Sequence, residues 1–294
     1  MQTEEFDRKR AFLTKRDMFP RFRVQDQGEV LESLVRNGRI QADDDLSIVE
    51  RAGYRLAFLT KQLEYHHVAE GELGGQPYVI GYCGICQSGS SLIPNVNGTH
   101  LHFGARGVYN GISLLGDDET GSYWSYITGE CLYGELAGES MQVYPLERIK
   151  ASYALKQWPD LQIALSRPDI LKWLMSPIKR LMGKHTYIPP MFRYTLGKSD
   201  DRLSQEVPGL GLISSRKARF YPLQLLQEND VVEDEWNGRP IRVNMDLARS
   251  FPYAEYTDEG NHESSLNWPM QLYSRWYGFS LTFPRCEIYT SKSP

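Results

Sequence analysis

The chain has 294 residues, with 41% hydrophobic and 12% aromatic side chains, enough for a substantial core and against disorder as the default. Its 33 Lys plus Arg are interspersed with 37 Asp plus Glu for a formal charge of -4, which leaves no basic stripe for a nucleic-acid backbone. No window approaches the roughly 18 unbroken apolar residues of a membrane span, the charged start to Arg16 holds no secretory apolar core, and four cysteines are too few for a disulfide scaffold, so a cytoplasmic, reduced setting is expected.

Residues 1–45 read as a charged leader that packs on the body, with a helical pattern from Glu29 to Val35 stopped by Asn37-Gly38. Tyr54 to Leu59 predicts a strand, followed by a short helix or turn carrying Tyr65, His66 and His67. Gly74-Gly75-Gln76-Pro77 is a turn signal, and Tyr78 to Tyr82 is apolar enough for a buried strand that runs straight into Cys83. Gln87 to Ser91 reads as a loop of little bulk, and His100 to Tyr144 as several short antiparallel strands separated by glycines. Leu146 to Gln157 has helical spacing and ends at Trp158-Pro159. Pro168 to Lys184 is a basic amphipathic stretch divided by Pro177; core packing is its plain reading, with contact to a membrane or a partner as the alternative.

An internal repeat organises these elements. Leu73-Gly-Gly-Gln-Pro77 recurs as Trp236-Asn-Gly-Arg-Pro240, an offset of 163 positions (73 to 236), and Trp158-Pro-Asp-Leu-Gln-Ile163 recurs as Phe283-Pro-Arg-Cys-Glu-Ile288, an offset of 125 (158 to 283). The second copy is thus 38 residues shorter (163 less 125), and it sets Asn229, Asp246 and Arg249 opposite His66, Cys83 and Cys86. The expected organisation is a leader (1–45), a first repeat with the Cys/His site (46–166), a helical connector (167–211) and a shorter second repeat (212–294). The expected fold class is α+β, rich in short antiparallel strands, with two halves related by duplication.

Five ordered stretches carry a family resemblance: His66-His-Val-Ala-Glu-Gly-Glu-Leu-Gly-Gly-Gln-Pro77, Tyr82-Cys-Gly-Ile-Cys86, Phe103-Gly-Ala-Arg-Gly107, Asp117-Asp-Glu-Thr-Gly-Ser-Tyr-Trp124 and Gly129-Glu-Cys-Leu-Tyr-Gly134. Together with Asp201-Arg-Leu203 and Ala218-Arg-Phe-Tyr-Pro222, this set resembles the domain-of-unknown-function 3179 family over roughly residues 45 to 290. The resemblance implies an arrangement of residues and no particular reaction. Relative to the family pattern, His67 stands where Glu is usual, Gly84 where Pro is usual, and Cys131 where Ala is more common.

Cys83 and Cys86 form Cys-x-x-Cys at a strand end, a spacing that lets two thiolates converge on one metal ion. His66 is the natural third ligand, because the Gly74-Gly75 turn folds its segment back toward the Cys strand. His102 is a further candidate, since His100 and His102 alternate about Leu101. Sulfur and imidazole ligands favour a transition metal, copper ahead of zinc. The same two cysteines also support a dithiol redox reading or two inert buried thiols, and the small-residue loop after Cys86 offers no helix N-terminus to activate a thiol. Asp117, Thr120, Ser122 and Trp124 read either as a hairpin turn bonded to its own backbone or as a pocket wall. In the second case Trp124 and Tyr109 flank a small-molecule or peptide substrate and Asp117 serves as base or orients a neighbouring ligand group. Cys131 and Cys286 read as small buried apolar residues. The functional expectation is a metal-binding protein with oxidase-like chemistry; a dithiol redox protein and a non-catalytic binding or scaffold protein are the alternatives.

Overall fold

The computed structural model describes residues 6–25, 28–166, 190–258 and 267–290. The fold is α+β with strand predominant, built from many short antiparallel strands in several sheets. Pro168 to Lys184, and with it the expected amphipathic stretch, lies outside the described residues.

The first unit opens on a hairpin of β1 (Asp45–Arg51) and β2 (Tyr54–Leu59), followed by α1 (Thr60–His66), β3 (Val68–Leu73), β4 (Gln76–Cys83) and β5 (Ser88–Leu92). After an excursion through β6 (Phe103–Tyr109), β7 (Ile112–Asp117), β8 (Tyr123–Trp124) and β9 (Cys131–Tyr133), the chain returns by β10 (Val143–Pro145) to β11 (Glu147–Lys150), α2 (Ala151–Gln157) and β12 (Gln162–Ala164). A similar order of elements, without counterparts of β6 to β10, follows in β13 (Pro208–Ile213), β14 (Ala218–Pro222), α3 (Leu223–Asn229), β15 (Val231–Trp236), β16 (Arg239–Asn244), β17 (Tyr253–Tyr256), β18 (Gln271–Arg275), α4 (Trp276–Thr282) and β19 (Glu287–Ile288).

Sheet connectivity recurs with it. One sheet runs β11-β1-β2-β12, extended beyond β12 by the antiparallel strand Glu29–Val30, and another runs β18-β13-β14-β19; each contains a short parallel pairing, β2 with β12 and β14 with β19. The hairpins β3-β4 and β15-β16 turn through Gly74-Gly75 (φ 58 and 76°) and Asn237-Gly238 (φ 53 and 79°). Two successive positive φ values define the turn whose twist suits a two-residue hairpin, and Gly and Asn tolerate them at least cost. The helices α1 and α3 both end on a residue of positive φ, His67 and Asp230, whose N–H groups donate to Leu63 and Leu226 carbonyls. The sheet of β6 to β9 lies in the first unit between β5 and β11, the interval over which that unit is the longer one.

Three local expectations are corrected. Glu147–Lys150 is a strand, because its alternation buries Glu147 and Ile149 against β1, and the helix begins only at Ala151. Gln87 to Ser91 is no loop: from Ser88 the chain is a fully buried strand, its small side chains allowing close packing. His100 ends a two-residue exposed strand, and His102 lies beyond it, so strand alternation does not set the two imidazoles on one face, although their rings stand 4.8 Å apart. The leader is woven into the body: Phe12–Leu13 pairs with β6 and Phe22–Arg23 with β3. No helix among the described residues is long and apolar enough to cross a membrane.

The largest core cluster spans both units, joining Val79, Cys83 and Cys86 to Phe103, Trp124, Trp276 and Phe279. Two junctions stitch the units together. The Arg275 N–H, at the start of α4, donates to the Cys86 carbonyl at 2.9 Å, and the Lys150 N–H, at the start of α2, donates to the Arg249 carbonyl at 3.3 Å.

Candidate functional site: a buried thiol pair

The site is set by a hairpin. Cys83 closes β4 and pairs across the ladder with Ser88, so Gly84 to Gln87 form a four-residue loop with Gln87 in the left-handed region at φ 56°. This tight reversal brings Cys86 back over Cys83, where its S–H donates to the Cys83 carbonyl at 3.8 Å and the two thiols influence each other's ionisation. Cys86 is 0% exposed and Cys83 2%, which bars bulk solvent from both sulfurs.

Hydroxyls line the remaining space. Cys86 Sγ lies 3.0 Å from Ser88 Oγ and 3.4 Å from Tyr126 Oη, and these two oxygens are 2.8 Å apart. Tyr126 reaches the site because Gly81 of β4 has no side chain; a Cβ there would stand 2.3 Å from the Tyr126 Cβ. Gly278 of α4 plays the same part from the other side, since a Cβ on it would meet the Cys86 Cβ at 2.9 Å. The Tyr277 hydroxyl, fully buried, lies within electrostatic reach of both thiols and makes no hydrogen bond of ordinary geometry among the described residues.

These neighbours split the pair electrostatically. For Cys86, burial opposes ionisation, but its interactions with the Cys83, Ser88 and Tyr126 side chains bring it below the ordinary thiol range. Cys83 is pushed up, first by its hydrogen bond to Cys86 and then by burial. The pair is thereby made unequal, with Cys86 the more readily ionised of the two thiols.

The other residues singled out by sequence are dispersed. His66 directs Nδ1 to the Pro20 carbonyl at 2.6 Å and Nε2 to Ser166 Oγ at 2.8 Å, which ties the leader to the end of the first unit. His67 is buried, bonded to the Tyr82 carbonyl and stacked on Phe19. His102 is exposed and pairs with Glu119 at 2.8 Å. Among the described residues, no three His, Cys, Asp or Glu side chains converge as a metal ion would require, so neither His66 nor His102 joins the cysteines in such a group.

Asp117 is buried, and its carboxylate accepts from the Thr120, Gly121 and Ser122 N–H groups, the Thr120 hydroxyl and the Trp124 indole N–H. All of these are local to the turn, so the carboxylate has little capacity left for a substrate. Trp124 is fully buried, whereas Tyr109 lines a cavity of about 50 Å³ that Trp124 does not border. Cys131 and Cys286 are buried apart from the pair, and burial pushes each thiol up to about 11.

Sequence reading missed Ser88, Tyr126 and Tyr277. The available signal was glycine in unfavourable places: Gly81 inside a strand and Gly278 inside a helix mark close approaches by other chain segments.

No curated protein and no solved structure matches the chain. A family model described as a protein of unknown function, DUF3179, matches residues 17–278, and the chain belongs to that family.

Proposed function

We propose that the protein is a dithiol redox protein in which Cys83 and Cys86 cycle between two thiols and one disulfide. The observation that carries this reading is the tight loop that sets Cys86 Sγ 3.8 Å from the Cys83 carbonyl and 3.0 Å from Ser88 Oγ, in a buried pocket lined by hydroxyls. Cys86 is the attacking thiolate: it displaces one sulfur of an acceptor disulfide and forms a mixed disulfide. Cys83 then gives up its proton and attacks the Cys86 sulfur, and the acceptor leaves as a dithiol, two electrons and two protons richer. In the reverse direction the Cys83–Cys86 disulfide takes two electrons and two protons from a partner dithiol, which leaves as a disulfide.

A second reading uses the same two sulfurs. Copper in its monovalent state favours thiolate ligands, and a buried sulfur pair supplies two of them. Zinc loses ground in this arrangement, because a structural zinc site takes four ligands and a catalytic one three. We also infer that the two units descend from one duplicated unit, on the strength of their matching order of strands and helices. The second unit sets Asp246 and Arg249 opposite Cys83 and Cys86, so the thiol chemistry belongs to the first alone.

The test equilibrates the protein in mixtures of oxidised and reduced dithiothreitol, traps it with acid and maps its cysteines by mass spectrometry, alongside elemental analysis of untagged protein. A reversible Cys83–Cys86 disulfide with Cys131 and Cys286 still reduced is the expected result. Stoichiometric copper that blocks disulfide formation would replace the redox reading by the metal one. Four thiols that stay reduced in every mixture, with no metal bound, would make the pair ordinary core.

A further inference from the structure

The hairpins β3-β4 and β15-β16 are built alike and finished differently at their outer edges. Beside their turns Leu73 pairs with Gln76 and Glu72 with Pro77 in the first, and Trp236 with Arg239 and Glu235 with Pro240 in the second. Glu70 and Glu233 therefore hold the same place on their strands, as do Ala69 and Val232. On β3 that outer edge is covered. The leader strand Phe22–Arg23 runs parallel to it, with Phe22 beside Ala69 and Arg23 beside Glu70. The Val24 N–H donates to the Glu70 carbonyl at 2.8 Å, and Arg23 Nε donates to Glu70 Oε1 at 3.0 Å. On β15, no strand among the described residues lies on that side.

Pro240 shows which groups of β15 face the open edge. Its carbonyl accepts from the Thr257 N–H on the β17 side, so its ladder partner Glu235 turns its own backbone groups outward, and by alternation so does Glu233. Glu235 is served within the unit: its N–H donates to Asp234 Oδ1 at 2.8 Å and its carbonyl accepts from Arg219 Nη1 at 3.2 Å. The Glu233 backbone, the counterpart of the one that receives the leader strand on β3, is left open among the described residues. Neither proline nor bulge guards it, since Val231–Trp236 contains no Pro and pairs with β16 in unbroken register.

Charge selects the occupant. Glu228, Asp230, Glu233, Asp234 and Glu235 follow one another with no Lys or Arg between them. Arg219 offsets Asp234 and Arg242 shares Glu233, which leaves the edge negative. Like charge sets a second copy of this edge against itself and favours a strand that is basic where it meets Glu233. The leader displays the matching pattern: Arg21, Phe22, Arg23 and Val24 alternate basic and apolar, with Phe22 buried and Arg23 on Glu70. Val232 is buried like Ala69, so the apolar side of an added strand continues the core.

We propose that β15 is a docking edge for an extended segment of a partner protein that alternates apolar and basic residues. The segment adds as a parallel strand, with an apolar residue beside Val232 and a basic one beside Glu233. Its backbone supplies affinity and its alternate side chains supply specificity. This docking is independent of the thiol pair.

The experiment titrates the full chain into a dye-labelled, end-blocked peptide, Met-Phe-Pro-Arg-Phe-Arg-Val-Gln, the sequence of residues 18–25, and follows fluorescence anisotropy. Saturable binding is expected. Glu233→Pro deletes an outward N–H that the ladder to β16 does not use, so it should weaken binding by about tenfold or more while the chain stays folded. Glu233→Lys with Glu235→Lys should weaken binding by about tenfold and should prefer a peptide in which both Arg are Glu. That charge swap carries the test if Glu233→Pro does not fold. A peptide that fails to bind wild type, or binds every variant equally, overturns the docking edge. A wild-type dimer in sedimentation that Glu233→Pro dissociates would put a second copy on the edge and overturn the partner segment.

Discussion

The two junctions between the units are framed alike and filled differently. In each, the N–H that opens a helix of one unit caps a carbonyl beyond a hairpin of the other: Arg275 to Cys86 and Lys150 to Arg249. At the second junction the space holds an ion pair, Arg249 Nη2 on Glu147 Oε1 at 2.6 Å, with the Arg249 guanidinium 4.0 Å from the Tyr253 ring and 5.4 Å from that of Tyr153. At the first junction the approaching helix carries Gly278, and the space holds Cys86, Cys83 and three hydroxyls. The Arg249 and Glu147 charges neutralise each other in place, which is structural work. The Cys86 sulfur is held by neutral donors, so its charge can come and go with a proton or a bond, which is what chemistry requires.

This contrast orders the expected effects of substitution. The largest belongs to the ion pair: Arg249→Met or Glu147→Ala alone strands a buried charge and should cost about 3–5 kcal/mol in urea melts, whereas Glu147→Leu with Arg249→Met should cost less than either. Equal or larger loss in the double variant would mean that the pair is not the source of the cost. Next comes Gly278→Val, which drives a side chain into the Cys86 Cβ; about 1–3 kcal/mol of stability should go with it, together with the Arg275 to Cys86 contact. A variant as stable as wild type would show that the junction yields without strain.

Tyr126→Phe removes a donor from the Cys86 sulfur and should cost on the order of 1 kcal/mol. The sign of its titration effect is fixed. Donors lower the Cys86 thiol, so losing one must raise it, and the thiolate absorbance transition should move to higher pH; a downward move would reverse the assigned role of Tyr126. Smallest are Cys131→Ala and Cys286→Ala, about 1 kcal/mol each from lost packing. Burial keeps both thiols protonated at neutral pH, so each variant should retain the redox behaviour of the pair.

Much of the framework is legible in the sequence because it rests on local chemistry. Gly74-Gly75 and Asn237-Gly238 announce their hairpins, and Tyr54 to Leu59 is the strand its composition predicts. Glu147–Lys150 was misread as helix because a buried Glu paired to an Arg distant in sequence breaks the polar-outside pattern on which periodicity depends. The site is legible only in part. Cys-x-x-Cys points to Cys83 and Cys86, but His66 looked like their partner from spacing alone, and its ring nitrogens turn instead to Pro20 and Ser166. Ser88, Tyr126 and Tyr277 reach the sulfur from three separate segments, and no local pattern in the chain connects them.

The most direct test is the pH dependence of disulfide formation in the wild-type chain with oxidised dithiothreitol, followed by mass spectrometry. Donation to the Cys86 sulfur lowers its thiol to about 6, so the rate should rise through that pH and level off above it. Cys83→Ser and Cys86→Ser should form no intramolecular disulfide at any pH. A wild-type rate that climbs only in the ordinary thiol range, or a bond that maps to Cys131 or Cys286, would contradict the assignment of Cys86 as the reactive thiolate of the pair.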